Sequence, residues 1–208
     1  IQTAFEATGG LAGFEQVEGD VGERLARVAA ERAQRMLRAR PAPAGTMPVV
    51  CAAEAGGVLV HEAMGHGMEA DFNLPSKPMS VFAGKIGQPV ANPKVTIVDD
   101  ATIPGMYGSM NFDDEGIPAQ RRVLIENGIL RNYMHDRMTA REMGVPPNGS
   151  GRRQTFRHTP MPRMSNTLML AGDDDPAAII RSVARGLLVK QMGGGQVNIV
   201  SGEFVFKV

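Results

Sequence analysis

Apolar positions along the chain change period several times, and each change marks an element. From Asp20 to Arg40 they fall at helical spacing, with Val21, Leu25, Val28, Ala29 and Met36 on one face and many arginines on the other. This predicts a helix that Asp20 can cap, with a solvated basic face. "RPAPAGTMP" (Arg40–Pro48) ends it and reads as a linker. Val49 to Ala52 reads as a short buried strand, and the segment from about Gly57 to Asp71 as a helix. Asn73 to Pro93 is a loop punctuated by Pro and Gly, and Lys94–Asp100 is a strand.

The clearest local pattern is Arg121–Met134, where two apolar runs flank Asn127-Gly128, a pair favoured in tight hairpin turns. Asp136 to Gly144 reads as a short helix ended by the glycine, and Val145–Met164 as a second loop. A strand is expected near Asn166–Leu170. Asp173–Met192 is expected to be a helix, acidic at its start and with Pro176 in its first turn. Gly193–Val208 closes as a hairpin around Ser201-Gly202. Strands that cluster as hairpins, with few helices, predict an α+β fold with a mostly antiparallel sheet.

Composition narrows the function classes. The chain has 208 residues, 43% of them hydrophobic, and its 22 basic residues balance 22 acidic ones. Such a balance gives no sign of a nucleic-acid partner. No apolar run reaches the length of a membrane span, and the opening "IQTAFEATGG" lacks the basic start and apolar core of a signal peptide. Cys51 is the only cysteine, so no internal disulfide is possible, and a reducing, cytoplasmic setting is expected. The chain opens at Ile1 and stops at "SGEFVFKV", within an expected strand, which suggests a piece of a longer protein.

Candidate chemistry concentrates in "GVLVHEAMGHGMEADF" (Gly57–Phe72), where His61 and His66 lie five residues apart with Glu62 after the first. Residues five apart on a regular α-helix are separated by about 140° of rotation, against about 40° for residues four apart. The pair can share one metal if a turn is widened to the i→i+5 pattern of a π-bulge, expected around Met64–Gly67. Gly65 and Gly67 are expected to ease such a distortion, since glycine tolerates unusual backbone angles. Zinc suits two imidazoles, and Glu62 stands where it could accept a proton from a water at the metal. The alternative is a pair of buried histidines satisfied by hydrogen bonds. A third ligand is not evident: Asp71 is the local candidate and Cys51 the chemical one, while His135 and His158 read as structural or exposed. Asp99-Asp100 and Asp113-Asp114 read as turn and cap residues, and Arg152 and Arg153 as anion binders or partners for those acids. The run Gly193–Gly195 reads either as a site of close backbone approach or as the stop of the preceding helix.

Four stretches in order give the chain a wider resemblance: "HEAMGHGMEADF" (61–72), "VTIVDDATIPGMYGSMNFDDEGIPAQRRVLIENGIL" (95–130), "GSGRRQTFRHTPMPRMSNTLML" (149–170) and "GGGQVNIVSGEFVF" (193–206). The sequence resembles the TldD/PmbA family of metalloproteases, close to the TldD branch. The resemblance implies a mostly antiparallel or barrel-like catalytic domain with a metal-binding helix, covering residues 47–208 but incomplete at its C-terminal end. Residues 1–46 would be the tail of the preceding domain, helix included, plus a linker. It implies zinc held by His61 and His66, with Glu62 catalytic and a cysteine downstream of this chain as third ligand. It further implies hydrolysis of unfolded or leader-type peptides and a hetero- or homodimer with a related subunit. The alternative function is that of a non-catalytic peptide-binding or scaffold subunit in such a complex.

Overall fold

Two consecutive positive φ angles, 49° at Asn127 and 80° at Gly128, build the tight turn expected between the two apolar runs. In the computed structural model, which describes residues 1–206, the contacts divide the chain into two compact units. One comprises Ile1–Thr46 with Pro104–Tyr107, the other Met47–Ile103 with Gly108–Val208. Lys207 and Val208, at the end of the expected closing hairpin, lie outside the described residues.

The smaller unit is organised by helix α1 (Val21–Met36). Asp20 holds the N-cap position, but its side chain makes no capping hydrogen bond, unlike the sequence expectation. Within this unit Arg32 pairs with Glu6 and donates to the Phe5 carbonyl at 2.8 Å, tying the N-terminal segment to the helix.

The larger unit begins with strand β1 (Val49–Cys51) and helix α2 (Ala53–Val60), which starts four residues earlier than the sequence suggests. The helix runs into a π-helical turn (His61–Gly65) and then a 3-10 turn (His66–Met68). Strands β2 (Ile97–Asp100), β3 (Arg121–Glu126) and β4 (Ile129–Leu130) follow, then helix α3 (Arg137–Met143). Asp136 caps α3 by accepting from the Thr139 N–H at 2.7 Å. Gly144 ends the helix at φ 67°, as expected from the sequence. The remaining elements are β5 (Gly151–Arg152), β6 (Met161–Pro162), β7 (Thr167–Met169), α4 (Pro176–Ser182), β8 (Leu187–Val189), β9 (Gly195–Asn198) and β10 (Glu203–Phe206).

The central sheet is antiparallel in the order β4-β3-β2-β7, and β5–β6 and β9–β10 are separate antiparallel pairs. The fold is α+β with mainly antiparallel pairing, and among the described residues no closed barrel forms. Ile97, Leu124, Ile125 and Leu130 from this sheet are fully buried against Val60, Met68 and Met134. The sheet thereby supports the helix carrying the histidines. The β5–β6 pair lies where only a loop was expected, since two-residue strands leave too short an alternation to read.

One helix is shorter than its sequence pattern. α4 stops at Ser182, and Leu187–Val189 forms β8, which pairs in parallel with β1. A β-carbon on Gly186 would come within 2.4 Å of the Pro48 carbonyl oxygen, so this glycine permits the close approach. Pairing with β1 outweighs a helical continuation that an internal glycine already weakens.

The acidic pairs serve the fold. Asp99 and Arg122 form a buried ion pair, and Asp99 also accepts from the Ser165 N–H at 2.9 Å and the Thr167 hydroxyl at 2.8 Å. Arg122 donates further to the carbonyls of Asn148 and Gly149. Asp100 accepts from Thr102, and Asp113 from the Glu115, Ile117 and Gly151 backbone N–H groups. Arg153 pairs with Asp114, whereas Arg152 donates to the Met164 carbonyl.

Two tests follow from these buried groups. Arg122→Met leaves Asp99 buried without its cation and is expected to lower stability by about 3–5 kcal/mol in denaturant titration. His135 is buried, and burial pushes its pKa down from 6.5 to about 4. Between those values the unfolded chain takes up a proton that the folded chain refuses, so stability falls as pH drops from 6.5 towards 4. His135→Gln is expected to flatten the pH dependence of Tm across that window, read by thermal melts between pH 7.5 and 5.

Candidate metal centre

The histidine spacing decides the local backbone. The His66 N–H donates to the His61 carbonyl, an i→i+5 bond that closes the π-helical turn. Widening the turn brings residues five apart onto one side, and the two rings stand 4.8 Å apart between centroids at an interplanar angle of 85°. A donor atom from each of His61, Glu62 and His66 lies within 4.8 Å of the others. The expected distortion is present, though it begins at His61 rather than being centred on Met64–Gly67.

The glycines act differently from expectation. Gly65 has ordinary helical angles, φ −56° and ψ −57°, so no special backbone freedom is used there. Its role is space: a β-carbon on Gly65 would lie 2.0 Å from the Met164 sulfur, and one on Gly67 would lie 2.7 Å from the Phe82 ring. Met164 and Phe82 are both buried in the core, so the π turn is pressed directly against packed side chains.

The helix breaks at Glu69, where φ −67° and ψ 125° are extended, instead of continuing to Asp71. The backbone on either side is anchored to Met134: its N–H donates to Met68, and the Ala70 N–H donates to its carbonyl. Glu69 is fully buried and its carboxylate approaches the His66 Nδ1 at 3.3 Å and Arg163 at 3.4 Å. Burial, reinforced by the neighbouring His66, lowers the His61 pKa, while Glu62 and Glu69 oppose the shift. A neutral imidazole is the form that binds a metal.

Glu62, His66, Glu69, Phe72 and Arg163 line an open cavity of about 470 Å³, which Gly195, Gln196, Val197 and Ile199 also border. Neither Glu69 nor Arg163 was singled out from sequence. Glu69 lies three residues after His66, a helical-neighbour spacing that could have flagged it, but Arg163 is 94 residues distant from Glu69 and carries no local signal.

The other candidates stay apart from this cluster. Asp71 is outside it; burial and the nearby Glu69 raise its pKa to about 6, and its Oδ1 is buried without a hydrogen bond. Cys51 sits on β1, where burial pushes its thiol pKa up, opposite to an activated thiolate. His158 is exposed and meets Thr155 at 2.8 Å, and His135 is in the core. Gly193–Gly195 does not stop a helix, because β8 precedes it; Gly195 instead opens β9, where a β-carbon would lie 2.3 Å from the Phe206 ring.

Two imidazoles and a carboxylate gathered on one widened turn beside an open cavity are donor types that could hold a metal ion. A family model described as PmbA/TldA metallopeptidase C-terminal domain matches residues 44–208. The chain is 53% identical to the Metalloprotease TldD homolog of Haemophilus influenzae over 194 residues, 93% of this chain and 40% of that protein. A crystal structure from Thermotoga maritima matches with a TM-score of 0.73 and 30% identity, over 88% of this chain and 41% of that one. TldE from Thermococcus kodakarensis shares the fold, with a TM-score of 0.69, 24% identity, and coverage of 90% of this chain and 46% of that one. The chain belongs to the PmbA/TldD family of metallopeptidases, and it spans about 40% of the length of the Haemophilus influenzae relative.

The packing around the glycines is directly testable. Gly67→Ala is expected to lower stability by about 1–3 kcal/mol, the usual cost of overpacking a core. Phe82→Leu in the same chain should recover part of the loss. Wild-type melting of the Gly67→Ala protein would show that the ring yields freely.

Proposed function

We propose that this chain is part of a zinc-dependent peptidase that hydrolyses unfolded or leader-type peptides. The observation that carries the reading is the π-helical turn that gathers donor atoms of His61, Glu62 and His66 within 4.8 Å. His61 and His66 would hold the zinc through imidazole nitrogens, and a cysteine outside this chain would complete the protein ligands. Zinc bound there supplies a Lewis acid that polarises the scissile carbonyl and makes its water more acidic. Glu62 takes the proton from the attacking water and returns it to the nitrogen of the departing amine. The cavity admits substrate, and β9 borders it while pairing only with β10 among the described residues. An extended peptide could pair along such an edge, which favours unfolded chains.

In this reading residues 47–208 belong to the catalytic domain and 1–46 to the end of a preceding domain. The shared fold with TldE supports a dimer with a related subunit. The single cysteine accords with a reducing, cytoplasmic setting for such an enzyme.

Glu62→Gln in the full-length protein is the direct test. It is expected to keep the zinc, measured by elemental analysis, while reducing peptide hydrolysis on the order of 10²–10⁴-fold. Near-normal turnover by the metal-loaded variant would overturn the assignment of Glu62. A wild-type protein that purifies and reconstitutes without zinc would instead favour a non-catalytic, peptide-binding subunit.

A further inference from the structure

We infer that Glu69 is the positioning residue of the metal centre, holding the His66 ring so that its Nε2 is the nitrogen left for zinc. The inference rests on the zinc reading of the His61–His66 pair and adds a residue that the motif itself does not contain.

The geometry begins with a carboxylate in an unfavourable place. Glu69 has no solvent exposure, and burying a carboxylate is strongly unfavourable unless donors compensate it. Its compensation is slight. Oε1 meets His66 Nδ1 at 3.3 Å and Arg163 Nη1 at 3.4 Å, and Oε2 meets the same Arg163 nitrogen at 3.5 Å. A carboxylate kept only for stability would be expected to have closer partners, as Asp99 has in the Ser165 N–H at 2.9 Å and the Thr167 hydroxyl at 2.8 Å.

The backbone around Glu69 is built to aim it. The helical path ends at Met68, and the extended angles of Glu69 set its position relative to His66. Hydrogen bonds between Met68 and Met134, and between Ala70 and Met134, fix the chain on both sides. The Asn73 side chain donates to the Glu69 carbonyl at 2.8 Å and to the Gly67 carbonyl at 2.9 Å, locking the same turn. Three residues of separation therefore bring a rigidly held acceptor against one nitrogen of His66.

With Nδ1 donating its hydrogen to Glu69, the tautomer is set and the lone pair resides on Nε2. Carboxylates in this position orient a ligating imidazole and raise its basicity. Arg163 has the complementary task of balancing the buried charge. Its side chain is 43% exposed and lines the cavity. It touches Glu69, while the His66–Glu69 contact does not depend on it geometrically.

The test uses the full-length protein and zinc. Chelator competition is expected to give Glu69→Ala a zinc dissociation constant about 10–100-fold weaker than wild type, the usual consequence of losing such a partner. Glu69→Gln, which retains an acceptor oxygen, should restore part of that affinity. Arg163→Ala removes the cation that balances the buried carboxylate but leaves the Glu69–His66 contact, and it should weaken zinc binding less than Glu69→Ala does. Nitrogen-15 NMR of the wild-type His66 ring with zinc bound should show Nε2 metallated and Nδ1 protonated, and this readout holds even if Glu69→Ala does not fold. Zinc on Nδ1, or unchanged affinity in a folded Glu69→Ala protein, would overturn the inference. Wild-type protein that binds no zinc would overturn the metal reading beneath it.

Discussion

A separation of five positions between two imidazoles imposes one constraint on which the whole site depends: a regular helix cannot present both to one point. An ideal turn leaves them about 140° apart. The chain resolves this by trading one α-helical bond for the i→i+5 bond between His66 and His61. That exchange also determines where Glu62 stands, because it lies inside the widened turn. The 3-10 turn over His66–Met68 then tightens the chain again before it breaks at Glu69. Each departure from regular helix therefore delivers one polar side chain to the same region.

Such a turn gives up regular hydrogen-bond geometry and needs support from elsewhere. The support is tertiary. Met164 fills the space beside Gly65, and Phe82 lies across Gly67, close enough that no larger residue fits without movement. Phe82 is in turn held by the Tyr133 hydroxyl, which donates to its carbonyl at 2.6 Å. Tyr133 precedes Met134, the residue that anchors the backbone on both sides of Glu69. The hairpin formed by β3 and β4 thus leads directly into the segment that clamps the turn carrying the two histidines. Positioning of this kind, on packed elements rather than mobile loops, is what a preorganised site requires.

How much of this was legible in the sequence depends on the range of the interaction. Asn127-Gly128 and the Gly144 stop are local devices, and the structure uses each as its sequence indicates. The distorted turn was legible too, because angular mismatch follows from spacing alone. The purpose of its glycines was not: Gly65 looks like a hinge until Met164, about a hundred residues away, is seen against it. β8 was hidden for the same reason. "ARGLLVK" continues a helical pattern, and only the partner strand β1, more than 130 residues earlier, makes it a strand. Arg163 and the cavity wall formed by β9 are likewise products of topology.

The arrangement also explains why apolar packing and the polar site are not separable in this fold. Val60 is buried in the core, and His61 is the next residue. Gly65 and Gly67 flank His66 and touch core side chains, whereas His66 itself remains partly exposed to the cavity. Over Gly65–Gly67 the chain thus presents glycine hydrogens to the core and the His66 ring to the cavity. A shift of the core that moved Met164 or Phe82 would rotate the turn and alter the spacing of both imidazoles. The placement of the donor atoms is consequently a property of the hydrophobic core beneath them.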